Sequence, residues 1–230
     1  MSETVEQLSG SEDLAVFRCA GRFVDSDHPA VIEFAKNSVQ GQQGAIDKAV
    51  ALYLAVRDEV SYDPYYVGRD EKYYRASDCL GAARGFCIPK AALMAAGARA
   101  INIPARVGYA DVRNHLSTEK LDRLVGSNVY RWHSYCELYL DGKWVKATPA
   151  FNQSLCERFG VHTLEFDGRE DSLLQEFDRS GRQHMEYLEQ RGHFVDVPFD
   201  KIVADFARYH LDWLDYRSQL EQEEAVESWD

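Results

Sequence analysis

The chain has 230 residues, 38 of them Asp or Glu against 26 Lys or Arg, for a formal net charge of −12. An apolar share of 45%, with 13 Tyr, 11 Phe and 4 Trp, excludes a disordered chain and supplies a sizeable core. The acidity argues against nucleic acid or an anionic membrane as partner, because both call for a cationic face.

Residues 1–10 are acidic and polar, without the positive start and apolar centre of a secretion signal. The longest apolar run, residues 49–56, is far short of the roughly 20 a membrane span requires. Cys19, Cys79, Cys87, Cys136 and Cys156 form an odd set without a C-x-x-C pair. Reduced thiols in a soluble, cytoplasmic protein are therefore expected rather than a disulfide framework. Asn152-Gln153-Ser154 matches a glycosylation sequon, which carries little weight without a secretion signal.

Along the chain, residues 14–24 alternate and suggest a strand, and Asp27-His28-Pro29 reads as a helix start. Ile46, Val50, Tyr53, Leu54 and Arg57 recur at helical spacing and predict a helix over 43–60, ended by Asp63-Pro64. Residues 65–75 receive no assignment; Tyr62, Tyr65, Tyr66, Tyr73 and Tyr74 gather here, to pack against helices or to line a cleft. The stretch 87–101, with only Lys90 and Arg99 charged, predicts a helix packed on all sides. Strands follow at 105–110, 132–140 and 143–148, the last two joined by Asp141-Gly142, a strong hairpin signal. Beyond Pro149 the chain reads as mostly helical. Ile202, Phe206, Tyr209 and Trp213 share one face of a late helix, and residues 221–230 read as a solvated acidic end.

With Asp141 and Gly142 as turn residues, Leu140 faces Lys143, Glu137 faces Lys146, Leu138 faces Val145 and Cys136 faces Ala147. One face is then apolar, with Trp132. The other carries His133, Tyr135, Glu137, Trp144, Lys146 and Thr148, and Thr148 becomes a diagonal neighbour of His133. A slip of one residue would spoil both the apolar and the charged pairs.

Cys87 opens the alanine-rich helix, where unpaired N–H groups and the positive end of the helix dipole favour thiolate. A thiol nucleophile also needs a base, and His133 is the candidate. On position alone the alternative, Cys87 as a small buried hydrophobe, stays open. Cys136 and Cys156 read as core residues.

Gly85-Phe86-Cys87 with its helix, Asn102-Ile103-Pro104-Ala105-Arg106, Gly108-Tyr109, Trp132-His133, and Trp144-Val145 through Pro149 resemble the transglutaminase-like superfamily. That resemblance implies an α+β, papain-like core over about residues 43–150, with a catalytic helix packed on an antiparallel sheet. It leaves 151–230 as a mostly helical extension of a single domain spanning 1–230. It also implies a Cys-His-Asp triad, which turns the reading of Cys87 towards nucleophile and that of His133 towards base. Where the family pattern has Asp before the second-strand proline, this chain has Thr148, whose hydroxyl accepts an imidazole N–H but brings no charge. Asn152 could stand in for it, with Asp111 and Asp167 as more distant choices.

The expected function is thiol-dependent acyl transfer on an amide or peptide bond, resolved by water in a peptidase or amidase. An amine-accepting transglutaminase and a catalytically impaired binding module of the same fold are the alternatives. A redox thiol at Cys87, with Cys79 as resolving partner, is a weaker idea. The expected partner is a peptide or protein amide substrate, and the oligomeric state is left unassigned. No cofactor or metal is called for by ligand spacing: His184 and His193 lack H-E-x-x-H spacing and read as surface residues, and Gly81 and Gly85 form no nucleotide loop. Arg106 reads as an anion contact or a structural ion pair.

Overall fold

The computed structural model describes the backbone over residues 13–227 and side chains over 13–220. Its helices and strands, in order, begin with α1 (Pro29–Ser38) and α2 (Ala45–Glu59). The short β1 (Ser61–Tyr62), α3 (Ala76–Ala82) and β2 (Arg84–Gly85) then lead into α4 (Cys87–Ala100). β3 (Ala105–Asn114), α5 (Glu119–Val125), β4 (Val129–Leu140) and β5 (Lys143–Ala147) follow. The last part holds α6 (Gln153–Phe159), β6 (Met185–Phe194), α7 (Phe199–Tyr209) and α8 (Leu211–Glu227). The fold is α+β, with α4 laid on an antiparallel sheet of order β5-β4-β3-β6.

Local chemistry explains the best-defined elements. Pro29 sits at the first turn of α1, and the His28 ring accepts the Ala30 N–H at 3.3 Å. Every residue of α4 from Cys87 to Arg99 is buried, as an apolar helix without a polar face must be. Small residues let its neighbours close in: a Cβ on Gly97 would lie 3.0 Å from Leu52 of α2. Lys90 is wholly buried in α4, where burial pushes its amine down to about 7; it donates to the Arg57 carbonyl at 3.0 Å and to the Val60 carbonyl. The carbonyls left free at the end of α2 are met in this way.

The β4–β5 register follows the turn chemistry. Leu140 faces Lys143, Glu137 faces Lys146 and Cys136 faces Ala147. Asp141 and Gly142 both take positive φ, 47° and 85°, as a two-residue turn matching strand twist requires.

Several expectations are corrected. Residues 14–24 form no strand: Val16–Arg18 is a 3₁₀ turn, and the N–H groups of Arg22, Phe23 and Val24 go to the Asp196 carboxylate instead of a ladder. The chain beyond Pro149 is not mostly helical. Residues 160–184 are largely irregular, and Met185–Phe194 is a ten-residue strand that covers the free edge of β3. The late helix is two helices broken at His210, whose Nδ1 meets the Val125 carbonyl at 2.8 Å. Ile202, Phe206 and Trp213 are buried, whereas Tyr209 is exposed beneath the Arg131 guanidinium. The expected acidic end at 221–230 lies outside the described side chains.

Candidate active site

Cys87 is the first residue of α4 and is nearly covered, at 9% exposure. Burial pushes its thiol up to about 11, against the N–H groups of Ser134, Ile88 and Cys87 itself, which favour thiolate. The expected helix-terminus donors are present and favour thiolate, but desolvation, the larger effect, opposes them. The Ser134 contact places the thiol against β4 one residue beyond His133. Tyr62 and Tyr109 lie within electrostatic reach of the same sulfur.

His133 pairs with Ala110 of β3 in the ladder and is 5% exposed. Burial alone pushes its imidazole down to about 4, and among the described residues Nε2 has no hydrogen-bond partner. Burial thus favours the uncharged form of both groups. Thr148 lines the same narrow crevice as His133, with Phe151, Leu173, Leu174 and Gln175, and its Oγ1 is also buried without a partner. The backbone of Thr148 is fixed independently: its N–H donates to the Ser172 carbonyl at 2.9 Å, and its carbonyl accepts from the Tyr53 hydroxyl at 3.3 Å.

Asn152 is placed differently. Its Oδ1 accepts the Tyr62 N–H at 2.6 Å, and its Nδ2 donates to the Val60 carbonyl at 3.0 Å and to the Arg57 carbonyl. These bonds hold the 57–62 backbone, and none of them reaches His133. Asp167 sits in an exposed turn accepting the Arg169 and Glu170 N–H groups. Asp111 is buried beside Trp132, where it bonds the Trp132 N–H at 3.1 Å. Arg106 forms a buried ion pair with Glu137 and stacks 4.0 Å from the Trp144 ring centroid. Cys79, Cys136 and Cys156 are buried, and the Cys79 thiol, pushed up to about 12, packs against Gly85.

A cleft of about 690 Å³ shares Phe151 with the His133–Thr148 crevice. Tyr65, Pro64, Leu116, Leu121, Leu155 and the exposed Phe159 give it apolar walls. Tyr62 and Phe151 also line it, their rings in edge contact at 4.6 Å. Phe151 also lines the His133–Thr148 crevice, and Tyr62 lies within electrostatic reach of the Cys87 sulfur. His184 lines the cleft too; contrary to the surface reading it is 5% exposed, with Nδ1 unpartnered. The tyrosine cluster thus divides, Tyr73 and Tyr74 packing in the core while Tyr62 and Tyr65 face the cleft. Phe151 and His184 were missed in sequence; the nearness of Phe151 to Thr148-Pro149 was the one signal available.

The transglutaminase-like superfamily model matches residues 32–149, just over half of the chain, and the chain belongs to that superfamily. No curated protein matches it. Among solved structures it is similar to a candidate cysteine protease from Cytophaga hutchinsonii, at 16% identity and a TM-score of 0.47, over 81% of this chain and 55% of that one. It is also similar to a candidate protease from Parabacteroides distasonis, at 18% identity and a TM-score of 0.40, over 59% of this chain and 26% of that one. The chain thus spans about half the length of the first and a quarter of the second. No helix among the described residues is long and apolar enough to cross a membrane.

Proposed function

We propose that this protein transfers acyl groups from amides or peptide bonds through a Cys87 thioester, with water as the resolving acceptor. The observation that carries the reading is a buried imidazole with a free Nε2, on the strand whose next amide touches a thiol at a helix start. His133 takes the Cys87 proton as sulfur bonds to the carbonyl carbon, then returns it to the leaving amine. Water adds to the thioester with His133 as base, releasing acid and thiol. Burial keeps imidazole neutral at rest, so it begins in the proton-accepting form. Thr148, which lines the same crevice, is the proposed acceptor of its N–H in the reacting complex, without the charge that would support imidazolium. The apolar cleft suits a peptide or protein substrate with a bulky apolar side chain near the scissile bond.

The test uses p-nitrophenyl acetate, an activated ester that reports acylation without knowledge of the substrate. Wild type is expected to gain an acetyl group on Cys87 with release of p-nitrophenol. Cys87→Ala abolishes that step, and His133→Ala slows it about a hundredfold or more. Acetylation elsewhere, or at Cys87 with no dependence on His133, overturns the reading.

One observation favours a second reading, a cleft that binds without turnover: the family's charged third member is replaced by Thr148, and nothing charged supports His133. That reading predicts an unacylated Cys87 in the same experiment.

A further inference from the structure

Trp132, immediately before His133, has φ +61°, a left-handed conformation that a bulky side chain rarely adopts. Such strain persists only where the surroundings fix it. Here the ladder itself is irregular. Ala110 faces His133 and Val112 faces Tyr130, so Asp111 alone opposes Arg131 and Trp132. On the other side of β3, Tyr109 faces Gly192 and Ala110 faces Gln190, which leaves Arg191 as an extra residue on β6. Both neighbouring strands bulge at the level of Asp111, and bulges are a device for re-aiming a side chain.

The bulges converge on one cluster. Asp111, 2% exposed, accepts the Trp132 N–H on Oδ1 at 3.1 Å. It takes Arg131 Nη1 and Arg191 Nη2 on Oδ2, each at 2.9 Å, while Arg191 Nε also reaches Oδ1. Arg191 continues to Asp205 of α7 at 2.9 Å, and Asp205 accepts the Trp132 indole N–H at 2.8 Å. The Arg191 guanidinium lies 4.6 Å from the Trp132 ring centroid. Two acids and two arginines balance in charge and grip both the backbone and the ring of the one strained residue. Burial would raise the Asp111 carboxyl, but the Arg191 and Trp132 hydrogen bonds and the two arginine charges hold it below the usual carboxylate range. Arg191 and Asp205 lie beyond residues 32–149 matched by the superfamily.

We propose that Asp111 and Arg191 are positioning residues that act through Trp132 to aim the His133 imidazole, so that the chain's last third completes the site. This rests on the acyl-transfer reading. Without the clamp Trp132 relaxes to negative φ, the following peptide turns, and His133 moves off the line to the Cys87 sulfur.

The test is a double-mutant cycle on Cys87 acylation by p-nitrophenyl acetate, with thermal melts as a folding control. Asp111→Asn is expected to lower the first-order acylation constant about tenfold to a hundredfold, with half-saturation little changed. Arg191→Lys keeps the charge but loses the fork, should fall less, and carries the test alone where Asp111→Asn does not fold. In a His133→Ala background either substitution is expected to be silent, because the group being aimed is gone. Unchanged acylation in the single variants overturns the proposal, as does a loss that multiplies with that of His133→Ala, the mark of a general structural defect. Failure of the acyl-transfer reading is separately visible: Cys87→Ala and His133→Ala alone would then leave wild-type behaviour unaltered, and the proposal falls with it.

Discussion

Two buried polar groups flank the bulge of β4, and the fold treats them in opposite ways. At Asp111 both carboxylate oxygens are engaged, by two arginines and a backbone N–H. At His133, Nε2 and the neighbouring Thr148 Oγ1 are equally buried and have no partner. An unmade hydrogen bond on a buried group costs about 1–3 kcal/mol, so the second arrangement is maintained at the expense of stability. The fully bonded cluster holds geometry, while the unbonded one keeps its capacity for a reacting atom. On the acyl-transfer reading, the contrast is one between rigidity at Asp111 and chemistry at His133.

The largest effect that would break this contrast is at Arg191. Arg191→Met leaves Asp111 buried with half of its cationic support and Asp205 without its bridge. A destabilisation of about 3 kcal/mol is expected, the low end for breaking a buried pair because Arg131 remains. Urea unfolding measures it, and an unchanged midpoint would show that the cluster stabilises nothing.

Next comes pH. His133 is pushed down to about 4 from 6.5, so the unfolded chain takes up the proton first. Stability contributed by the neutral ring is therefore full above pH 6.5 and is lost as pH falls towards 4, by about 3 kcal/mol. His184 and His210 are also lowered by burial and add to the same window. The difference between wild type and His133→Gln isolates the one ring; parallel curves for the two would contradict its burial. Asp111, held below the carboxylate range, keeps its contribution through this window and loses it only in stronger acid. The two clusters should thus fail in sequence as pH drops.

The sequence made one cluster legible and hid the other. Cys87, His133 and Thr148 could be singled out because the motifs around them resemble the superfamily, while the Asp141-Gly142 turn and paired Glu137–Lys146 fix the hairpin register. Asp111 and Arg191 are 80 residues apart, and neither stands in a motif. Their meeting depends on β6, where Glu186, Glu189, Gln190 and Arg191 break any apolar–polar alternation. That segment takes strand form because β3 offers it an open edge. Bulges hide this further, since each shifts the two-residue period by one. Burial was equally hidden: a helix start favours thiolate at Cys87, and burial where α4 packs on β4 opposes it.

The smallest expected effects fall at Thr148, and they sharpen the comparison most. Thr148→Val removes a buried hydroxyl that bonds to nothing, so stability should change by less than about 1 kcal/mol or rise slightly. On the acyl-transfer reading the same substitution removes the hydroxyl proposed to accept the His133 N–H and is expected to slow Cys87 acylation. Thr148→Asp reverses that trade. A carboxylate in the crevice would favour imidazolium, raise the His133 pKa and increase acylation at neutral pH by about tenfold or more, while its own desolvation lowers stability. Melting temperatures and p-nitrophenyl acetate kinetics on the two variants should therefore move in opposite directions. If both quantities fall together in Thr148→Asp, the crevice is a packing site, and His133 is no more poised for chemistry than Asp111 is.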